Sequence, residues 1–382
     1  VTVAVSIAGV TPARELVPAD RRQFASMIRE LAEARRSFAF VGGGTDLDFG
    51  NAPRPLDAVI RTTALDRVIE YAPEDQTITV EGGARIAEID EVLAAYGQVL
   101  PIDVGDRKFA TIGGAIATNA FGARRHRYGS IKDLIVGVEI VRPDGVVARG
   151  GGKVVKNVAG FDLPKLMVGS LGTLGAIVSA TLRVFPRPDA WRAVALDVAP
   201  GAAAVRALLA DRAIDPVAVT AAPERGTIVE YAGIAAAVDA QIERTLAVAA
   251  EHGTSARPLD AAALDAAHAR EREIRARGAW RATVAHAPAL DDPACVPPSA
   301  RSLAYPTLGI TIASSDDEPF DAAAVERARE RGTVVFHALP SRARGAFDAW
   351  GPPPPAFALM RELKARFDPH GICNPGRFIG GL

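Results

Sequence analysis

Glycine is the residue that most limits what this chain can fold into. Many of its 35 glycines gather in three stretches between Gly42 and Gly175. The first is Val41-Gly42-Gly43-Gly44-Thr45-Asp46. The second is Ala110-Thr111-Ile112-Gly113-Gly114-Ala115-Ile116-Ala117-Thr118-Asn119-Ala120-Phe121-Gly122, continuing to Arg127-Tyr128-Gly129. The third is Lys156-Asn157-Val158-Ala159-Gly160-Phe161-Asp162-Leu163, running into Gly169-Ser170-Leu171-Gly172-Thr173-Leu174-Gly175. Glycine admits positive φ and lets the main chain approach a ligand closely. Successive N–H groups in such a loop form a nest for an anion such as pyrophosphate. Thr45, Thr111 and Thr118 would add hydroxyl donors. A single loop of this kind is better read as a tight turn. Three, each beside an apolar strand or helix, favour a ligand.

Two other phosphate-binding designs fit less well. Gly42 and Gly44 open like GxGxxG, but the third position is Leu47. A glycine there would permit close helix packing, so its lack counts against a nicotinamide-type site. No Gly-Lys-Ser/Thr occurs, which excludes a P-loop.

The chain has 382 residues, enough for two cores. Hydrophobic residues make up 49% and charged residues 23%, a globular composition. Formal net charge is −1, with 44 Lys+Arg against 45 Asp+Glu, so nothing draws the chain to nucleic acid. No apolar run is long and charge-free enough to span a bilayer. Residues 1–10 are apolar, but no basic segment precedes them and a poor cleavage context follows, so export is not expected. The two cysteines, Cys295 and Cys373, form no CxxC, which disfavours structural zinc, an iron–sulfur cluster and a disulfide framework. The six histidines show no HxH or HExxH spacing, and no metal site is expected.

Hydrophobic periodicity organises the rest. Asp20 to Gln23 reads as a capping box, with Phe24, Ile28 and Leu31 on one face of a helix reaching about Arg35. Short strands are expected at 37–41, 58–61, 67–71 and 77–81, then a helix at 86–96 stopped by Gly97. Residues 135–141 and 146–149 flank Pro143-Asp144-Gly145 as a hairpin, and 176–185 reads as one more strand. After Pro186-Arg187-Pro188 the texture changes to alanine-rich helices at 201–212, 234–251 and 260–277. These alternate with strands at 193–198, 227–231, 308–312 and 333–337. Pro352 to Pro355 is a stiff spacer before a last helix at 357–367. The expected organisation is α+β, with domains at 1–187 and 188–350 and a C-terminal segment, 351–382, that returns to the first.

The three glycine stretches resemble the phosphate loops of the flavoenzyme family that includes vanillyl-alcohol oxidase, p-cresol methylhydroxylase and D-lactate dehydrogenase. That family carries a GGGT-type first loop and a GG…TN…G second loop ending in RYG. Its third loop is of the N-x-x-G-[YF]-D-L…G-S-x-G-T-L-G type. All three occur here in order, and Asp368 to Arg377 matches a D-P-x-G-I-x-N-P-G-[RK] segment. Within the family, the stretches 97–103 (which includes Pro101), 152–160 and 376–381 are similar to the smaller flavin subunits of bacterial glycolate oxidases.

The resemblance implies a two-domain FAD-binding fold of the vanillyl-alcohol oxidase type with an α+β cap domain. It implies that Gly42, Gly43, Gly44, Thr45 and Asp46, with Thr111, Ile112, Gly113, Gly114, Thr118, Asn119 and Gly122, hold the FAD pyrophosphate region. Thr173, Gly175 and Ile177 would lie on the adenine or ribose side, Gly160 and Asp162 would shape the third loop, and Asn374 or Arg377 would return to the flavin ring. Asp162 serves equally well as a plain helix cap. Covalent members anchor flavin through a histidine or cysteine near these loops. Thr45 follows the triple glycine here and His126 sits in a basic run, so FAD is expected to be non-covalent.

The implied reaction oxidises a 2-hydroxy acid such as glycolate, and electrons leave through a partner. A larger flavin subunit and an iron–sulfur subunit are the implied partners, and the implied location is cytoplasmic, peripheral at the inner membrane through them. Two features depart from the catalytic members. His252, His268, His286 and His337 are not paired at ligand spacing, and Leu171 stands where many carry glutamate. No catalytic residue is assigned. A stand-alone hydroxy-acid or alcohol dehydrogenase and a non-catalytic assembly subunit stay open as alternatives. Arg270, Arg272, Arg275 and Arg277 read as a solvated face, and Trp280 and Trp350 as packing residues.

Overall fold

The computed structural model describes residues 5–152, 161–286 and 295–382. Lys156, Asn157 and Gly160 of the third stretch lie outside the described residues. The chain divides into two compact units. One takes in Val1–Ala120, Ser130–Phe185 and Phe336–Leu382; the other takes in Phe121–Gly129 and Pro186–Val335. The second unit thus ends at Val335 rather than 350, and it includes a piece of the second glycine stretch. The return of the chain to the first unit therefore precedes the proline spacer.

Two sheets of the first unit frame its core. Glu15–Leu16, Ala58–Arg61 and Phe38–Val41 form a small parallel sheet, with Ala58–Arg61 in the middle. A five-stranded antiparallel sheet has the order Val68–Ala72, Thr77–Glu81, Ala176–Arg183, Ile135–Val141, Val147–Gly151. The helix Arg21–Glu33 begins where expected: the Asp20 carboxylate accepts from Gln23 N at 2.8 Å, and the Gln23 side chain accepts from Ala19 N. Its buried face, Phe24, Ile28 and Leu31, joins Phe38, Ile60, Val141, Ala176 and Val178 in one core. Ile372 and Cys373 from the C-terminal segment belong to the same core. Each such side chain contributes about 1.5–3 kcal/mol by leaving water.

The other face of the five-stranded sheet packs on the helices Ile86–Ala94 and Ile112–Thr118 through Ile86, Ile89, Leu93, Ile112 and Ile116. Glu81, at the end of its strand, is buried and accepts from the Arg67 backbone N–H and guanidinium and from Arg21. Burial alone would raise its pKa, but the bonds from Arg67 and Arg21 win and hold it below the usual carboxylate range.

Among the described residues the second unit is built on an eight-stranded sheet, whose last strand runs on past Val335. Its order is Ala256–Leu259, Ala190–Leu196, Gly226–Gly233, Ala218–Ala222, Arg301–Tyr305, Ile310–Ser315, Trp280–His286, Gly332–Ala338. The helix Ala235–Glu251 covers it through Val238, Ile242 and Val248 against Val194, Val219 and Val229. The expected helices appear as Ala203–Ala210, Ala235–Glu251 and Ala261–Ala276. The strands Ala218–Ala222 and Arg301–Tyr305 escaped the periodicity test. The first is buried at every position, so no apolar–polar alternation marks it.

One expectation about this unit changes. Arg275 is not on a solvated face: it pairs with Glu271 at 3.1 Å, donates to the buried Tyr305 hydroxyl at 2.7 Å and stacks over Phe121. His268 donates to Glu230 at 2.8 Å, beside the Trp191 indole N–H that bonds the same carboxylate oxygen. That bond to Glu230 raises the His268 pKa above 6.5, against the desolvation that would lower it.

Candidate functional site

The C-terminal ends of the two parallel strands Phe38–Val41 and Ala58–Arg61 open on a cleft in the first unit. Ligands bind in such crevices, outside the carboxyl ends of parallel strands. The cleft encloses ≈ 740 Å³ of space, counted to its open mouth. Its first wall is the triple-glycine loop. None of the N–H groups of Gly43, Gly44, Thr45 and Asp46 donates to a protein acceptor among the described residues. Gly44 holds φ +77, the left-handed conformation that turns consecutive N–H groups to one side. A Cβ on Gly43 would sit 1.6 Å from the Phe109 carbonyl oxygen, so its glycine is required by the second stretch packed behind it. The Thr45 hydroxyl donates to the Asp46 carboxylate at 3.0 Å. That hydroxyl is therefore engaged, and Asp46 can serve an anion only through its backbone.

The second stretch is a wall of another kind. Thr111 caps the helix Ile112–Thr118, its Oγ1 accepting from Gly114 N at 3.3 Å. Gly113 N donates to Gly82 O at 2.8 Å, and a Cβ on Gly113 would lie 2.7 Å from that oxygen. These glycines serve close backbone packing; their N–H groups are taken. Thr118 likewise gives its hydroxyl proton to Gly114 O. Thr111, Gly113, Gly114 and Thr118 line the cleft, whereas Ile112 is buried in the core and Asn119 ends the helix in the left-handed conformation. Gly122 and His126 belong to the second unit.

Gly175 and Ile177 form part of the floor. Thr173 does not: its hydroxyl is buried and bonded to Ser170 O at 2.7 Å. Asp162 caps the short helix Leu163–Met167 through Lys165 N, the plainer of its two expected roles. Pro101 is buried away from the cleft lining. Other residues complete the site: Phe40, Leu47 and Thr62 from outside the glycine stretches, and Ala117, Leu171 and Gly172 from within them. Thr62 was accessible in principle, because it follows the strand paired in parallel with the one feeding the first loop.

Asn374 and Arg377 close the cleft. Asn374 Nδ2 donates to Leu171 O at 3.0 Å, which leaves Oδ1 as an acceptor with no partner, buried in the lining. Arg377 is buried, and its Nη2 donates to Leu47 O and Phe49 O. Its Nε has no partner. Burial pulls the guanidinium down to about 10, Arg344 pushes the same way, and Asp48 and Asp46 oppose. It therefore stays charged at neutral pH. Trp350 holds the Arg377 carbonyl at 2.9 Å and packs on Phe49 and Phe378, the packing role expected of it.

Buried donors and acceptors left unpaired are costly, at about 1–3 kcal/mol each, and persist where a ligand supplies the partner. A loop of free N–H groups at one end and an unpartnered amide oxygen and guanidinium Nε at the other suit a long ligand, anionic in one part and hydrogen-bonding in another. Family comparison agrees: residues 12–151 match the FAD binding domain, and 352–378 match the C-terminal domain of FAD linked oxidases. Residues 12–151 are an FAD-binding domain. The fold is of the vanillyl-alcohol oxidase type. It resembles solved structures of alkyldihydroxyacetonephosphate synthase with TM-scores of 0.69 and 0.70 at 17% identity. The likeness covers 96% of this chain and 77% and 78% of theirs.

Curated relatives match part of the chain. Glycolate oxidase subunit GlcD of Bacillus subtilis is 32% identical over 178 residues, 47% of this chain and 38% of its own length. Glycolate oxidase subunit GlcE of Escherichia coli is 40% identical over 126 residues, 32% of this chain and 35% of its own. D-2-hydroxyglutarate dehydrogenase of Xanthomonas citri is 35% identical over 147 residues, 38% of this chain and 31% of its own. The match spans well under half the length of each.

The cleft fits the cofactor at both ends. The backbone of residues 43–46 would take the pyrophosphate, Gly175 and Ile177 would line the path of the nucleotide, and Asn374 and Arg377 would meet hydrogen-bonding groups of FAD.

Proposed function

We propose that this chain is the FAD-binding subunit of a complex that oxidises a 2-hydroxy acid, glycolate to glyoxylate, and hands the electrons to a partner. The observation that carries this reading is the cleft itself, with free backbone donors at one end and the buried Arg377, whose Nε has no partner, at the other. FAD held there would supply the two-electron chemistry that oxidation of a CH–OH group requires. The chain's residues do the rest: the first loop binds, Asn374 and Arg377 orient, and the buried lining excludes water. Relatives named for glycolate, D-lactate and D-2-hydroxyglutarate point to 2-hydroxy acids as the substrate class. A larger flavin subunit and an iron–sulfur subunit are the proposed partners, and the proposed setting is cytoplasmic, peripheral at the inner membrane through them. Among the described residues no helix is long and apolar enough to cross a membrane. The FAD is proposed to be held without a covalent bond.

A second reading has the chain bind FAD without oxidising substrate itself. Leu171 favours it: an apolar side chain lines the cleft where many catalytic relatives carry glutamate. The test is dye reduction with glycolate and D-lactate by the FAD-saturated chain, alone and co-expressed with both partners. Activity that appears only in the complex supports the subunit reading. Rapid, saturable turnover by the isolated chain points to a stand-alone dehydrogenase instead.

A further inference from the structure

The cleft's C-terminal wall is held by a side chain that does not touch the cleft. Lys364, in the helix Phe357–Phe367, is buried, and its ammonium donates to three oxygens. These are Asp368 Oδ2 at 2.6 Å, Thr173 O at 2.8 Å and Cys373 O at 2.8 Å. Asp368 is buried too, and accepts from Ile372 N at 3.1 Å and Cys373 N at 2.8 Å. Cys373 adds a bond from Sγ to Gly172 O. The segment so gripped lies alongside Phe38–Val41: Phe38 N donates to Ile372 O, and Asn374 N donates to Phe38 O at 2.7 Å. One ammonium therefore ties together the helix, the third glycine loop and the segment docked on the strand that feeds the first loop. The next residue after Cys373 is Asn374, which lines the cleft and whose buried Oδ1 has no partner.

A buried ion pair is weak evidence for stability, because replacing both partners by neutral groups of similar size is often tolerated. Its geometric effect is plainer. All three ammonium protons are used: two fix the carbonyls of Thr173 and Cys373, each within two residues of the cleft lining, and the third fixes the Asp368 carboxylate. Resting on the assignment of the cleft to FAD, we propose that Lys364 is the positioning residue of the cofactor site: by locking the Thr173 and Cys373 carbonyls and Asp368, it sets the Asn374 carboxamide at the distance and angle from which it bonds FAD.

A double-mutant cycle tests this. The apo-protein is titrated with FAD by fluorescence quenching in four forms: parent, Asn374→Ala, Lys364→Met with Asp368→Asn, and the triple variant. The Lys364→Met/Asp368→Asn pair removes both charges at nearly constant volume. It is expected to melt cooperatively and to bind FAD about tenfold or more weakly, the equivalent of ~1.4 kcal/mol. Asn374→Ala is expected to weaken the parent by a similar factor and to cost the paired variant less than about twofold, because residues acting through one another are not additive. Lys364→Gln, which keeps amide donors without charge, should fall between. If the charge-free pair binds FAD like the parent, or if Asn374→Ala costs the same in both backgrounds, Lys364 is a stability element and the proposal fails. Failure of the parent to bind FAD would instead overturn the cofactor assignment, so the two results are distinct.

Discussion

Asn374 and Leu171 are joined by a bond from the carboxamide Nδ2 to the main-chain oxygen at 3.0 Å, and both residues hold a left-handed backbone, with φ of 47 and 51. Asparagine tolerates that conformation, whereas Leu171 costs about 1–2 kcal/mol over an ordinary one. The pairing engages the amide nitrogen and leaves the amide oxygen without a protein partner.

Gly172 lies between the two partners at φ +69, and a Cβ there would come 2.6 Å from Asn374 Nδ2. Gly172→Ala should displace the carboxamide and weaken FAD binding by about tenfold, the measure of one lost bond of ~1.4 kcal/mol. Thermal melting of the apo-protein should fall by only a few degrees. Unchanged affinity would remove Asn374 from the cofactor's contacts.

The first loop makes two different predictions for adjacent glycines. Gly44 has open space around its missing Cβ, with Leu47 Cδ1 nearest at 3.7 Å, but holds φ +77. Gly44→Ala should cost about 1–2 kcal/mol of backbone strain and, by turning the N–H groups away, lower FAD affinity by more than that strain accounts for. Gly43→Ala meets the Phe109 carbonyl and should destabilise the first unit outright. Melting curves alongside FAD titrations separate the two. Equal behaviour of the variants would mean the loop is an ordinary turn.

Acid precipitation should release FAD into the supernatant. Cys373 is the cysteine nearest the cleft in sequence, and burial pushes its thiol well above the usual range while its Sγ is bonded to Gly172 O. It offers no thiolate to attack a flavin. Flavin retained in the washed pellet would show a covalent link.

The second unit should lose stability as pH rises through the raised pKa of His268. The folded value lies above the ordinary 6.5, so the Glu230 pairing contributes fully below that value and fades as the imidazolium deprotonates. Glu271 supports the charged form and Arg124 opposes it. His268→Gln should flatten the melting temperature between mildly acidic and mildly alkaline pH. An unaltered pH profile would contradict the assignment.

Much of the first unit was legible because its signals are local. The Asp20 cap, the Phe24/Ile28/Leu31 stripe and the turn at Gly145 each fix a structure from residues a few positions apart. The triple glycine marked its loop for the same reason. The division of labour between loops was not legible. Gly113 looks like Gly43 in sequence, but its N–H is spent on Gly82, a partner that only the fold brings near. Lys364 was invisible for a related cause: a lysine on an amphipathic helix reads as solvated, and its three acceptors come from Thr173, Asp368 and Cys373. In the second unit the strand Ala218–Ala222 lacks alternation because both its faces are covered.

The central claim is that the cleft between the triple-glycine loop and Asn374 and Arg377 holds FAD. The most direct test is a titration of the apo-protein with FAD, followed by flavin fluorescence, beside the same titration of Arg377→Met. The parent should bind one FAD per chain with strong quenching, and Arg377→Met should bind markedly more weakly while melting as a folded protein. A parent that stays colourless and leaves FAD fluorescence unchanged, or a variant that binds as the parent does, would contradict it.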